Sequence, residues 1–147
     1  MSAAVPPFEA DRLTYPAMLP AEIAVYKTWL RLHQAEYDRF EYNVRVGPGF
    51  DPGGGVPDNI RTMSIANTKK RIDALAWSGS APTIIEVKDR AGLSAIGQLL
   101  GYRVHWQLEN PHAIPPKMLL VANRLAPGVQ EVLQAHNVPY ELVSLQT

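Results

Sequence analysis

Residues 71–88, RIDALAWSGSAPTIIEVK, constrain the fold more than any other part of this sequence, because they place two strand-type runs around one turn. The cluster SGSA separates RIDALAW from PTIIEVK, a pattern typical of an antiparallel β-hairpin. A turn centred between Gly79 and Ser80 sets the register and places Asp73 directly opposite Glu86. Cross-strand neighbours of this kind have Cβ atoms about 5 Å apart. The sequence therefore predicts two carboxyl groups side by side on a β-ribbon.

Helical and strand-type patterns alternate along the rest of the chain. We interpret residues 1–19 as an irregular lead-in and residues 20–147 as a single domain, whose length suits one hydrophobic core. Apolar residues at three- and four-residue spacing from Pro20 predict a helix that ends near Asp38 to Phe40. The other predicted elements are strands at 41–46, 117–122 and 140–145 and helices at 94–109 and 126–137. This order predicts an α/β fold with a mixed β-sheet flanked by helices.

Glycine is concentrated at two places. Residues 47–59 contain five glycines and three prolines, which predicts a flexible loop. No Gly-Lys-Ser/Thr follows, so it is not a phosphate-binding P-loop. Its composition favours the hypothesis that residues 47–55 close over a substrate. Gly97 and Gly101 each weaken a helix by about 1 kcal/mol relative to alanine, so we expect their face to lie against a sheet or other backbone.

The predicted hairpin also carries a lysine. Strand alternation puts Glu86 and Lys88 on one face and Ile85 and Val87 on the other. Two converging carboxylates repel each other unless one is protonated or a cation lies between them. Mg²⁺ commonly binds one or two carboxylates together with substrate phosphate oxygens, and a nearby lysine can position water or neutralise phosphate charge. The pattern indicates metal-assisted phosphodiester hydrolysis. An ordinary salt-bridged hairpin is the alternative.

Residues 71–102 resemble the PD-(D/E)XK nuclease superfamily. In that family an aspartate begins the second core strand, Glu-x-Lys lies in the third, and a glutamine, often with a tyrosine four residues later, lies on the next helix. The matching positions, in the same order, are Asp73, Glu86, Lys88, Gln98 and Tyr102. Glu22 matches a glutamate that the family often carries on its first helix. The proline of the family name is absent, since Ile72 precedes Asp73.

The resemblance implies a restriction-endonuclease-like core, αβββαβ with a trailing αβ, and a nuclease that hydrolyses DNA with Mg²⁺ or Mn²⁺. The implied metal ligands are Asp73, Glu86, the backbone carbonyl of Val87 and, directly or through water, Glu22. Lys88 would position or activate the attacking water, while Gln98 and Tyr102 would orient the phosphate. The alternative for Glu22 is a favourable interaction with the helix dipole.

Charge is balanced over the chain but not along it. The 14 basic and 14 acidic residues cancel, which argues against a broad electrostatic surface for nucleic acid. Residues 61–90 nevertheless hold six basic and three acidic side chains. The side chains expected to contact DNA are Lys69, Lys70, Arg71, Tyr102 and Arg103. A solvated surface patch is the alternative for the basic ones.

Composition excludes several classes of protein. The absence of cysteine excludes disulfides, thiolate catalysis and cysteine-based zinc sites. No apolar run approaches the roughly 20 residues needed to span a bilayer, and the N-terminus lacks the basic and apolar regions of a signal peptide. We therefore expect a soluble, cytoplasmic protein without a membrane partner.

The type of nuclease is less constrained. No recognition domain is visible, so we expect a structure-selective or accessory enzyme, such as small phage members of the family, rather than a sequence-specific restriction enzyme. A homodimer or a larger complex would add affinity that the neutral chain lacks. Two alternatives stay open: a non-catalytic DNA-binding or assembly module on the same fold, for example a phage component, and a hydrolase of a small phosphorylated molecule.

Overall fold

A mixed five-stranded β-sheet with the order β1-β2-β3-β4-β5 lies at the centre of the protein. The computed structural model describes residues 7–145, so residues 1–6 of the predicted lead-in and residues 146–147 lie outside the described part. The strands are β1 (Arg39–Val46), β2 (Lys70–Ser78), β3 (Ala81–Ala91), β4 (Lys117–Leu125) and β5 (Tyr140–Leu142). β1, β2 and β3 are antiparallel neighbours, and β4 and β5 extend the sheet parallel to β3.

Helices connect and cover these strands. Within residues 7–145 the α-helices are α1 (Pro20–His33), α2 (Asp58–Thr68), α3 (Leu93–Glu109) and α4 (Val129–Ala135). The predicted α/β class, the mixed sheet and the order of the core elements are confirmed. Within the same residues, no helix combines the length and the hydropathy needed to cross a membrane.

Each face of the sheet carries its own hydrophobic core. The core on the α1 face includes the buried side chains of Val25, Tyr26, Trp29, Leu30, Ala74, Ile85 and Val87. The core on the α3 face includes those of Ile72, Leu75, Ile84, Leu99, Tyr102 and Trp106. Burial of one large apolar side chain stabilises a fold by about 1.5–3 kcal/mol. The two cores therefore hold α1 and α3 firmly against opposite faces of β2 and β3.

In β1 and β2 the side chains change, part-way along the strand, from one face of the sheet to the other. In β1, Tyr42 packs with the α1-side core and Val44 with the α3-side core, although strand alternation would give both the same face. Asn43 lies between them with a left-handed φ of 55°. In β2, Ala74 belongs to the α1-side core and Ile72 to the α3-side core. Asp73 lies between these two residues, at the point where β2 changes the face on which its side chains pack.

The predicted end of the first helix, near Asp38 to Phe40, is wrong. α1 ends at His33, and a short 3-10 helix (Gln34–Glu36) follows it. Tyr37 continues the helical spacing in the sequence, but its backbone is extended. His33 Nε2 lies 2.9 Å from Glu141 Oε2, so a contact with a distant part of the chain holds the residue at which the helix stops.

α2 is absent from the predicted elements, which run from a loop directly into the hairpin. Residues 47–57 have no regular secondary structure, as their glycine and proline content predicts, but α2 begins at Asp58. None of the residues of α2 is buried, so no amphipathic pattern marks it in the sequence. Hydrogen bonds of 2.6–2.7 Å from Arg61 to Asp51 join this helix to the loop before it.

Part of the segment interpreted as a lead-in packs on α1. Pro7–Asp11 forms a 3-10 helix, and the side chains of Tyr15 and Met18 are buried in the α1-side core. The Tyr15 hydroxyl donates to the carbonyl of Glu9 at 2.7 Å. These contacts bring residues before Pro20 into the core, although no periodic pattern indicates it.

Candidate active site

The β2–β3 hairpin has the predicted register over its regular part. Cα pairing runs from the turn to Ala74, which lies opposite Ile85. Beyond this pair the ladder ends, and the backbone N–H of Val87 donates instead to Asp73 Oδ2 at 2.9 Å. The side chain of Asp73 thereby takes the place of a backbone carbonyl acceptor of β2. It is held beside Glu86, and we call these two side chains the carboxylate pair.

Glu86 is buried in the sheet, with only 1% of its surface exposed. Burial, followed by hydrogen bonding and charge repulsion from Asp73, raises the pKa of Glu86 to about 9, against a smaller lowering by Lys88. Its Oε2 atom has no hydrogen-bond partner within the described residues. A buried carboxyl oxygen without a donor is unfavourable unless a proton or a cation satisfies it.

Lys88, which lies on the same strand as Glu86, supplies a positive charge close to the carboxylate pair. Its Nζ atom lies 3.7 Å from Glu86 Oε1, and 29% of its side chain is exposed. The ammonium group is thus near enough to interact with Glu86 and still accessible to water or a phosphate. Asp89 has different partners, since it accepts from Asn123 and lies 3.7 Å from Arg124.

α3 brings two further predicted side chains to the carboxylate pair. Tyr102 is 4% exposed, and burial, then the charges of Glu86 and Asp73, raise its pKa above the ordinary value. Hydrogen bonding to Glu86 raises that pKa as well, whereas hydrogen bonding to Gln98 lowers it. Gln98 Oε1 is buried and has no hydrogen-bond partner among the described residues. The tyrosine hydroxyl and the glutamine amide thus lie at the edge of the site.

Glu22 is engaged at the start of α1. Its Oε1 accepts the backbone N–H of Leu19 at 3.0 Å, a capping contact in the first turn, where the alternative of a favourable interaction with the helix dipole also places it. Its charge contributes only weakly to the raised pKa of Glu86. Within residues 7–145 no group of three or more histidine, aspartate or glutamate side chains is placed to hold a metal ion. A metal ion at this site would therefore depend on Asp73 and Glu86, because Glu22 is engaged by the backbone of Leu19.

The carboxylate pair has the chemistry of a site for a hard divalent cation. Two carboxyl groups converge, one of them buried with an oxygen that lacks a donor. Mg²⁺ and Mn²⁺ prefer oxygen ligands and commonly bind through one or two carboxylates plus water or phosphate oxygens. The residues present fit such an ion, which Asp73 and Glu86 would hold.

The basic residues expected to contact DNA divide into two groups. Lys70 lies at the start of β2 and lines the same cleft as Tyr102, with Lys69 before it and Arg71 after it. Arg103 is exposed on another side of α3, where it lines a different cleft with Ser78 and Lys117. The structure thus brings Lys70 to the site and does not bring Arg103 there.

A cleft of about 330 Å³ adjoins the carboxylate pair along one face of α3. It is lined by Lys70, Ser94, Gly97, Gln98, Gly101, Tyr102 and His105. The expectation that Gly97 and Gly101 lie against a sheet or backbone is wrong, because a Cβ on either glycine would meet no atom within 4 Å. Ser94 and His105 were not among the predicted site residues. Their three- and four-residue spacing from Gln98 and Tyr102 was the available signal.

Comparison with known proteins places this arrangement in a fold family. The EndoMS–dsDNA2 complex matches with a TM-score of 0.50 and 15% sequence identity over 92% of this chain and 50% of that chain. The chain has a restriction-endonuclease-like fold. A repair endonuclease from Pyrococcus abyssi also matches, with a TM-score of 0.49 and 15% identity over 90% of this chain and 50% of that chain. No protein-family model and no curated protein matches the sequence.

The structural similarity extends through about nine-tenths of this chain but spans half the length of each of these two structures. The resemblance carried by the hairpin and α3 is confirmed at the level of the fold.

Proposed function

We propose that this protein is a metal-dependent nuclease that hydrolyses DNA phosphodiester bonds. The observation that carries the proposal is Glu86, buried beside Asp73 with one oxygen that has no donor and with the ammonium group of Lys88 3.7 Å away. The EndoMS structure, which shares the fold, is a complex with double-stranded DNA, and this supports DNA as the substrate.

Each side chain of the site has a role in this proposal. Asp73 and Glu86 would hold Mg²⁺ or Mn²⁺, with the carbonyl of Val87 as a further ligand. When bound, the ion would supply positive charge to the scissile phosphate and lower the pKa of coordinated water. Lys88 holds its ammonium group where it can orient a water molecule or stabilise phosphate charge.

Side chains on α3, together with Lys70, would position the phosphate. The hydroxyl of Tyr102 and the amide of Gln98 can donate to phosphate oxygens, and Lys70 adds a positive charge at the same cleft. The chain has no net charge, so we propose a structure-selective or accessory nuclease that gains affinity from a homodimer or a larger complex. Glu22 would contribute to the metal site only through water.

Cleavage of plasmid and single-stranded DNA with Mg²⁺ or Mn²⁺ tests the proposal. We expect wild-type protein to cleave, and Glu86→Ala and Lys88→Ala to lose at least about 10²-fold in rate, the loss typical for a group that stabilises charge in the transition state. Asp89→Asn is the matched control, because Asp89 lies on the same strand and is engaged by Asn123 and Arg124 away from the site.

Equal rates in wild type, Glu86→Ala and Lys88→Ala would overturn the catalytic assignment. DNA binding without any cleavage in wild-type protein would favour the alternative, a non-catalytic DNA-binding or assembly module on the same fold.

A further inference from the structure

Folding of α3 does not explain Gly97 and Gly101. Neither has a positive φ, and a Cβ on either would meet no atom within 4 Å. Glycine in a helix interior is less favourable than alanine. Backbone conformation and packing within the described chain therefore leave these two glycines unaccounted for. Their effect is to leave the helix backbone bare on the side that faces the cleft.

The side chains around these glycines suit a negatively charged ligand. Lys70 contributes a cation, and Ser94, Gln98 and His105 contribute polar groups, whereas no acidic side chain lines the cleft. Gln98 Oε1, an acceptor, has no hydrogen-bond partner among the described residues, and the NH2 group of the same amide carries the hydrogens that can be donated to an anion. The ring of His105 is backed by Gly47, where a Cβ would come within 3.5 Å of the ring. The backbone of Gly47 therefore borders the His105 ring, which lines the cleft.

Tyr102 lies between the cleft and the carboxylate pair. This residue lines the cleft, and its pKa is raised in part by the charges of Glu86 and Asp73. Glu86 is 1% exposed and carries the oxygen without a donor. A ligand that reaches Glu86 beside Tyr102 can therefore extend along the face of Gly97 and Gly101. About 330 Å³ is near the lower end of the roughly 300–1,000 Å³ typical of ligand pockets, so the space suits one small unit of a longer chain.

We propose that this cleft receives one sugar–phosphate unit of the substrate strand, adjacent to the phosphate at the carboxylate pair. Lys70 contacts the phosphate of that unit, and the absence of side chains at Gly97 and Gly101 lets the strand lie against the backbone of α3. The proposal rests on the nuclease function. It adds the path of the substrate strand along α3 and identifies Gly97 and Gly101 as the residues that let the strand approach this helix closely.

Binding measured without cleavage tests this assignment. Fluorescence anisotropy in EDTA would give the Kd of a short labelled oligonucleotide, single-stranded and as a duplex, for wild type, Gly97→Leu and Gly101→Leu. Since leucine favours helix and the space is empty, both variants should keep or raise the melting temperature. Filling the cleft should nevertheless weaken binding roughly tenfold or more. Val104→Leu, an added carbon on an exposed part of α3 outside the cleft, should bind as wild type does.

Lys70→Gln gives a second measurement that does not depend on repacking of α3. A phosphate contact predicts weaker binding and a decrease of about one in the slope of log K against log salt concentration. Unchanged affinity for both oligonucleotides in the glycine variants, or an unchanged salt slope in Lys70→Gln, overturns the assignment and leaves the nuclease function intact. Wild-type protein that cleaves nothing, but whose binding remains sensitive to Gly101→Leu, overturns the nuclease function and supports the cleft.

Discussion

Glu86 is a carboxyl group that the fold keeps out of water and next to a second carboxyl group. Burial and Asp73 together raise its pKa to about 9, which means that Lys88 at 3.7 Å compensates only part of the unfavourable environment. The raised pKa therefore favours a proton on the carboxylate pair at neutral pH when no cation is bound. A divalent ion that displaces this proton would satisfy both carboxyl groups at once.

Glu86→Gln should separate the role of this residue in metal binding from its effect on the fold. Because the folded pKa of about 9 lies above the unfolded value of 4.5, the wild type loses stability as pH rises between these values, and glutamine does not titrate. At pH 8 in EDTA, we expect Glu86→Gln to raise the free energy of unfolding by about 1–3 kcal/mol. The gain should disappear below pH 4.5. Urea unfolding of the two proteins at pH 8 and below pH 4.5 measures both differences in the free energy of unfolding.

The same variant should lose the response to metal. Mn²⁺ should raise the melting temperature of the wild type by several degrees, since an ion that binds only the folded state stabilises it. Glu86→Gln should show little increase, and Asp89→Asn should respond as the wild type does. An equal Mn²⁺ response in all three proteins would contradict the assignment of the ligands.

At the scale of elements, β1 and its neighbour β2 both change the face of the sheet on which their side chains pack. Asn43 has φ of 55°, and on either side of it β1 packs on opposite faces of the sheet. Opposite it, β2 changes face around Asp73, whose carboxyl group leaves the ladder to accept from Val87. Asparagine and glycine tolerate this left-handed conformation, whereas a β-branched residue does not.

Asn43→Val should therefore destabilise the protein by about 1–2 kcal/mol, while Asn43→Gly should change the free energy of unfolding much less. Denaturant unfolding of the two variants gives the comparison. Comparable losses in both would mean that the Asn43 side chain, rather than its backbone conformation, is what matters.

α2 is an element without a core of its own. No residue in it is buried, and Ile60 and Met63 are about half exposed. Its attachments are polar, chiefly the ion pair of Arg61 with Asp51, which lowers the pKa of Asp51 to about 2. Local opening of such a helix requires the loss of few apolar contacts.

Amide hydrogen exchange should be faster in α2 than in the middle of α3, by roughly tenfold or more. Exchange followed by NMR or mass spectrometry resolves the two helices. Protection in α2 equal to that in α3 would show that contacts other than those described hold it in place.

On the scale of the whole molecule, His33 links the end of α1 to the last strand, 108 residues away in the sequence. Its ring nitrogens lie 2.5 Å from Glu36 Oε2 and 2.9 Å from Glu141 Oε2. Burial lowers the pKa of His33, but the hydrogen bonds and charges of the two glutamates outweigh it and raise the pKa above 6.5. The contact is therefore stronger when the histidine is charged.

Stability should accordingly depend on pH through His33. Its contribution is fully present below the unfolded pKa of about 6.5 and is lost as pH rises through the higher folded value. The Glu86→Gln substitution removes the titration of Glu86. In this background, we expect the free energy of unfolding to fall by up to about 1 kcal/mol as the pH rises through the pKa of His33. His33→Gln should abolish the decrease. An unchanged pH profile in that variant would contradict the link.

Features that depend on local periodicity could be predicted from the sequence. Alternation in β2 and β3, and the turn between them, were enough to place Asp73 near Glu86 and to set the register as far as Ala74. α2 could not be predicted in this way, because it buries nothing and leaves no apolar pattern. The burial of Tyr15 and Met18 could not be predicted either, because single side chains in irregular segments produce no periodic apolar pattern.

Residue types along the hairpin and α3 were sufficient for the α/β class and for two neighbouring carboxyl groups, because strand and helix geometry repeats over a few residues. Contacts between residues far apart in the chain set the rest. Close packing of α1 and α3 on β2 and β3 buried Glu86, and with it raised the pKa of its carboxyl group. Empty space beside Gly97 and Gly101 arose from how α3 lies against the start of β2. Burial and open volume are properties of all the surrounding atoms, which no short stretch of sequence contains.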